Sequence, residues 1–208
     1  FAAGANAVDW RLMRGDPFFV RLEAGLLKPK NKILGSDIAG VVEAVGSGVT
    51  HFKAGDEVFG DLSEDELGGF AEYVCTDERF LALKPKSLSF EEAAAVPMAA
   101  VTALQGLRDK GKIRPGMKVL INGASGGVGS YAVQIAKALG GEVTAVCSTK
   151  KSDLVRSLGA DHVIDYTQEN FTESDDKYDL IVAVNGYHPL SAYKRILAPQ
   201  GVYVCIGG

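Results

Sequence analysis

The chain has 208 residues, 47% of them hydrophobic and 23% charged, with a formal net charge of −4. This length accommodates two domains, each with a core of its own, and the acidic balance argues against a nucleic-acid-binding surface. No apolar run reaches the roughly 20 residues that a membrane helix needs, so no membrane partner is expected.

The sequence opens on Phe1, in what reads as a strand. Over the first ninety residues short β segments are punctuated by glycine. Asp37 to Val45 runs into Gly46-Ser47-Gly48, Glu57-Val58-Phe59 follows Ala54-Gly55-Asp56, and Gly69 to Cys75 follows an acidic loop. This pattern predicts an all-β domain over residues 1–90. The four acids between Asp61 and Glu66, and the lysines of Lys28-Pro29-Lys30-Asn31-Lys32, read as solvated. A helical segment from Phe90 to Arg108, interrupted at Pro97, then leads into a second domain over residues 91–208.

That domain starts on a buried strand, Val119-Leu120-Ile121, which breaks into Asn122-Gly123-Ala124-Ser125-Gly126-Gly127-Val128-Gly129. Gly123, Gly126 and Gly129 have the spacing of a dinucleotide fingerprint variant. The first allows a tight strand-to-helix turn, Gly126-Gly127 let the backbone approach a pyrophosphate, and the last lets the helix pack closely. Val128, Ala132, Ile135, Ala136 and Leu139 then recur at helical spacing, and Gly140-Gly141 stops the helix. The first amides of that helix face an anion.

The unit repeats: strand Val143–Cys147, helix Lys151–Leu158, strand His162–Asp165, strand Asp179–Val184, helix Leu190–Leu197 and strand Val202–Ile206. Alternation of this kind predicts an α/β fold with a doubly wound parallel sheet that binds ligands beyond the carboxyl ends of its strands. A sixth strand, usual in complete sheets of this type, is missing, so a longer intact chain is expected. Enzymes for the non-phosphorylated cofactor usually carry an acid at the end of the second strand. Here that place reads Cys147-Ser148-Thr149-Lys150-Lys151, two hydroxyls and two cations, which favours NADP(H). Cys75, Cys147 and Cys205 lie far apart and read as buried apolar fillers in a reducing, cytoplasmic setting.

Asn6-Ala7-Val8-Asp9-Trp10, Gly35-Ser36-Asp37-Ile38-Ala39-Gly40-Val41-Val42, Ala54-Gly55-Asp56-Glu57-Val58, Gly68-Gly69-Phe70-Ala71-Glu72-Tyr73 and Asn122 to Lys137 follow one another in the order seen in medium-chain dehydrogenase/reductases. Ser125-Gly126-Gly127-Val128-Gly129, with Gln134 and Lys137, resembles the signature of the zinc-free quinone oxidoreductase, or zeta-crystallin-like, branch. The likeness extends over nearly the whole chain. It implies a GroES-like β domain before a Rossmann cofactor domain, with a final segment that returns to the first domain and is absent from this sequence. It also implies a homodimer joined at the edges of the cofactor sheets.

Zinc-dependent relatives place a cysteine near Asn6, a histidine near Ser36, an acid near Asp37 and a further cysteine before the turn around Thr102. Only the acid is present, and a catalytic zinc needs three protein ligands. No metal is therefore expected. Hydride transfer without a Lewis acid suits a quinone or conjugated enone, which delocalises the charge it receives. Carried across residue by residue, the resemblance gives Asn6 a place near the nicotinamide and substrate, and Thr102 one beside the cofactor. Lys151 takes the 2′-phosphate together with Tyr166, Ser148 belongs to the same turn, and Asn185 lines the nicotinamide pocket. Gly123, Ser125, Gly126, Gly127, Val128 and Gly129 hold the pyrophosphate. Trp10, Phe18 and Phe19 fit either a core or an apolar acceptor cleft. Two alternatives stay open: a non-catalytic NADPH-binding protein, and an enoyl reductase module of a larger synthase.

Overall fold

The computed structural model describes residues 1–65 and 67–206; Glu66 of the acidic loop and the terminal Gly207-Gly208 lie outside the described residues. The chain divides after Met98 into two compact units, each built on one sheet.

In the first unit four short strands, β1 (Ala2–Gly4), β2 (Asp37–Val41), β3 (Glu57–Asp61) and β4 (Leu81–Leu83), pair antiparallel in chain order. Strand side chains alternate between faces, so Asp37 and Ala39 of β2 are both buried, Ala39 against helix α3 (Phe90–Ala94). Ser89 starts α3 with a reciprocal cap. Its hydroxyl accepts the Glu92 N–H at 3.1 Å, and the Glu92 carboxylate accepts the Ser89 N–H at 2.8 Å. Because α3 packs on β1, β2 and β3, it lies with the first unit, and the division falls after Met98 rather than after residue 90.

The expectation of an all-β first domain is corrected by two helices, α1 (Ala7–Arg14) and α2 (Val20–Ala24). Asn6 starts α1, where the Asp9 carboxylate accepts the Asn6 N–H at 2.7 Å, and Gly15 ends it in the left-handed region. Gly69 to Cys75 is also not a strand. Gly69 and Phe70 donate to Gly35 and Leu34 through single backbone bonds, and the segment then turns away. In the acidic loop Asp65 accepts the Thr76 hydroxyl at 2.6 Å and Asp61 stands opposite Asp37 across the β2–β3 ladder, so neither is simply solvated. Trp10, Met13, Phe18 and Phe19 are exposed, which removes them from the core of this unit. Cys75 and Cys205 are exposed too, leaving Cys147 as the one buried cysteine among the described residues.

In the second unit five parallel strands, β5 (Lys118–Asn122), β6 (Glu142–Cys147), β7 (His162–Asp165), β8 (Tyr178–Ala183) and β9 (Leu197–Cys205), stand in the order β7-β6-β5-β8-β9. They are joined by α5 (Gly127–Ala138), α6 (Ser152–Ser157) and α7 (Leu190–Ile196). Helix α4 (Pro97–Leu104) and a π-helical turn, Gln105–Lys110, precede the sheet. The period of two divides β5 between its faces. Val119 and Ile121 join the core that includes Ala132, Val133 and Ala136 of α5, while Leu120 joins the opposite core with Tyr193 and Ile196 of α7. Each such aliphatic side chain contributes roughly 1.5–3 kcal/mol through burial. Strand order reverses between β5 and β8, which places a crevice at their carboxyl ends. Among the described residues no helix is long and apolar enough to cross a membrane.

Candidate functional site

The crevice is built by three segments that leave the sheet at adjacent strand ends. After β5 the chain enters the glycine turn at Gly123, whose φ of +86° lies in the left-handed region that favours glycine. The Gly123 and Ala124 N–H groups donate to the Val146 carbonyl at 3.2 and 3.1 Å, fastening the turn to β6. Helix α5 begins at once, packed so closely that a Cβ on Gly129 would lie 2.0 Å from the Gly123 carbonyl oxygen. A Cβ on Gly127 would meet nothing, and Gly126 and Gly127 are exposed. The result is a small open concavity in front of the first amides of α5, which have no intrahelical acceptor. Such a cradle suits a pyrophosphate by both space and dipole. Ser125 and Val128 flank it, half-buried.

The second segment follows β6. Ser148 precedes a 3₁₀ turn, Thr149–Lys151, and Tyr166 lies beside it because its N–H donates to the Cys147 carbonyl at 3.1 Å. The Lys150 and Lys151 ammonium groups and the Tyr166 hydroxyl belong to exposed residues and make no hydrogen bond or ion pair among the described residues. Asp165 lies at the end of β7. It accepts the Thr149 hydroxyl, and its Oδ1 accepts the N–H and hydroxyl of Thr167 at 2.9 and 2.7 Å. Those bonds, the Thr149 hydroxyl foremost, hold its carboxyl below the usual carboxylate range. The acid is therefore committed to the loop.

The third segment follows β8. Asn122, buried at the end of β5, donates through Nδ2 to the Asn185 carbonyl at 2.6 Å and to the Tyr193 hydroxyl at 2.9 Å. Gly123 and Asn185 are thereby near neighbours; a Cβ on Gly123 would lie 3.0 Å from that of Asn185. Asn122 carried no assigned role at the sequence level, although its polar side chain at a strand position otherwise filled by Val, Leu and Ile is a legible anomaly. Lys137 pairs with Asp161 at 2.8 Å, and Asp161 also accepts the Val143 N–H at 2.7 Å; this signature lysine pins the start of β6. Thr102 lies half-buried on α4.

In the first unit Asn6 reaches from the start of α1 to β2. Its Nδ2 donates to Asp37 Oδ2 at 3.1 Å and approaches Ser36 Oγ at 3.4 Å. Asp37 Oδ1 accepts the Met98 N–H at 3.0 Å. Burial pushes the Asp37 carboxyl up to about 6, against the lowering effect of the Asn6 and Met98 bonds. Asp9, also buried, leaves Oδ1 without a hydrogen-bond partner among the described residues. A cavity of about 250 Å³ opens beside α1, lined by Val8, Leu12, Ala24, Leu34 and Leu67 with Lys30 and Asp65. A catalytic zinc does not fit the Asn6–Ser36–Asp37 set, in which an amide N–H points at the carboxylate and both carboxylate oxygens already accept. Among the described residues no three His, Cys, Asp or Glu side chains are grouped to hold a metal ion.

Residues 1–86 match the family described as alcohol dehydrogenase GroES-like domain, and residues 127–208 the family described as zinc-binding dehydrogenase. The chain is 45% identical over 188 residues to a 2-methylene-furan-3-one reductase of Solanum lycopersicum, covering 86% of this chain and 47% of the relative. It is 43% identical, with the same coverage, to a chloroplastic NADPH-dependent alkenal/one oxidoreductase of Arabidopsis thaliana. The solved quinone oxidoreductase of Coxiella burnetii superposes with a TM-score of 0.86 at 31% identity, over 97% of this chain and 63% of that one. The chain thus spans about half the length of these two curated relatives. A small antiparallel sheet, followed by a doubly wound parallel sheet with a glycine turn at its switch point, defines a two-domain dinucleotide-binding architecture. The chain belongs to the medium-chain dehydrogenase/reductase superfamily, in its zinc-free quinone oxidoreductase branch.

Proposed function

We propose that this protein is an NADPH-dependent oxidoreductase that passes a hydride to a quinone or an α,β-unsaturated carbonyl without zinc. The observation that carries the reading is the turn after β6. Ser148, Lys150, Lys151 and Tyr166 present unengaged cations and hydroxyls beside an open glycine cradle, and Asp165, at the end of the neighbouring strand, is tied to Thr149 and Thr167. Lys151 and Tyr166 grip a 2′-phosphate, with Ser148 adding a hydroxyl, while the amides of Gly127 and Val128 face the pyrophosphate and the Gly126 N–H closes the turn on the Gly123 carbonyl at 3.1 Å. Thr102 and Asn185 flank the nicotinamide, and Asn6 has the role of positioning nicotinamide and substrate.

The bound nicotinamide supplies the hydride; the chain supplies position and dryness. An acceptor that spreads its own developing charge needs no metal, consistent with an Asn6–Asp37 pair already closed by hydrogen bonds. A homodimer joined through the edges of the parallel sheets is part of the same proposal, and light scattering of the full-length protein is expected to give the mass of two chains. The hydride assignment is tested by reducing an enone with NADPH deuterated at C4. Deuterium at the β-carbon of the product is expected; label lost to water, or no turnover despite tight NADPH binding, favours a non-catalytic binding protein.

A further inference from the structure

The buried amide of Asn122 stands at the joint between the two halves of the crevice. Its position follows from the β period, because it lies on the same face of β5 as Leu120, the face covered by α7. An amide there is costly unless both N–H groups find acceptors, and both do. One donates to the Asn185 carbonyl at 2.6 Å, the other to the hydroxyl of Tyr193, which is itself only 1% exposed. The His188 backbone faces that same hydroxyl. The His188 ring, in turn, stands edge-on to Phe171 at 5.0 Å and to Tyr193 at 6.1 Å.

The loop from Asn185 to Pro189 is therefore pinned near both ends by one side chain, directly at Asn185 and through Tyr193 at His188. Apart from the half-buried His188, its residues are exposed. Asn122 is also the residue before Gly123, so whatever moves the loop is felt at the start of the glycine turn. The anchors are directional: the amide offers two donors to two acceptors, and neither Leu120 nor Ile121 can replace it.

We infer that Asn122, with Tyr193, is a positioning residue that holds the β8–α7 loop against the glycine turn and so sets the geometry of the nicotinamide end of the site. The inference rests on the proposed function for what the loop surrounds, but not for how it is held. Misplacing a reacting group by about 1 Å costs on the order of a hundredfold in rate, whereas Gly127 and Lys151, proposed to hold the phosphates, make no hydrogen bond to Asn122, Asn185 or Tyr193 among the described residues.

The test uses the full-length protein and two variants. Asn122→Leu keeps the volume and removes both donors, and Tyr193→Phe removes only the hydroxyl. For Asn122→Leu, kcat is expected to fall at least about tenfold while the Kd for NADPH stays within about threefold, with amide hydrogen exchange at residues 185–188 accelerated about tenfold or more. Tyr193→Phe is expected to give the same pattern at smaller amplitude, with exchange accelerated chiefly at His188. Unchanged exchange at 185–188 and unchanged kcat in Tyr193→Phe would overturn the inference even if Asn122→Leu fails to fold. So would a rise in the Kd for NADPH that matches the loss in kcat. A wild-type protein that binds no NADPH would instead sink the proposed function, and the exchange data would still decide whether Asn122 and Tyr193 hold the loop.

Discussion

Asp37 shows how a single carboxylate is shaped by what surrounds it. It is buried on β2, between the Asn6 amide and the Met98 N–H, with Asp9 and Asp61 as like-charged neighbours, and its pKa rises from 3.8 to about 6. A carboxyl that holds its proton more tightly when folded makes the native state most stable below the ordinary carboxylate pKa. Stability is then lost as pH rises from about 4 to about 6, by at most about 3 kcal/mol from this group. Urea titrations of wild type and Asp37→Asn across that range check this. The variant is expected to gain on wild type as pH rises, and a difference constant with pH would contradict the assignment. At the other unit's surface, Lys151→Ala is expected to raise the Kd for NADPH about tenfold and to leave NADH within about twofold, as measured by quenching of intrinsic fluorescence. The polarity of Ser148-Thr149-Lys150-Lys151 was legible from residue types alone. The burial of Asp37 was not, because it depends on α1, β2 and the start of α4 meeting at one point.

At the scale of elements, the glycine turn separates folding from binding. Gly129 faces the Gly123 carbonyl at a distance no side chain can share, so Gly129→Ala is expected to cost about 3 kcal/mol and to lower the thermal midpoint. A Cβ on Gly127 enters open space, and alanine is the better helix former, so Gly127→Ala is expected to fold at least as well as wild type. Its added methyl group occupies the cradle, however, and a Kd for NADPH raised about tenfold is the expected calorimetric result. Equal loss of stability in both variants would contradict the division of roles. The second-unit elements were readable because parallel strands buried on both faces are continuous apolar runs, such as Val119-Leu120-Ile121. The first unit misled where its strands were short. Gly69–Cys75 has strand-like residues but gains only two backbone bonds to Leu34-Gly35, while Ala7–Arg14 becomes helix through a cap at Asn6 and Asp9.

For the whole molecule, the strand order β7-β6-β5-β8-β9 brings the ends of β5, β6 and β8 together, so residues as distant in sequence as Gly123, Lys151 and Asn185 border one crevice. The glycine spacing and the cationic turn could be read before any fold was known. The loop anchoring by Asn122 and Tyr193 could not, since residues 71 positions apart meet only once the sheet is wound. The proposed activity is NADPH-dependent, zinc-independent reduction of a quinone or enone. Its most direct test is the kcat/KM of the full-length protein with NADPH and with NADH, on one quinone and one enone, with and without a chelator. Turnover that prefers NADPH by at least about tenfold and ignores the chelator is the predicted result; a preference for NADH, or activity abolished by the chelator, would contradict the account.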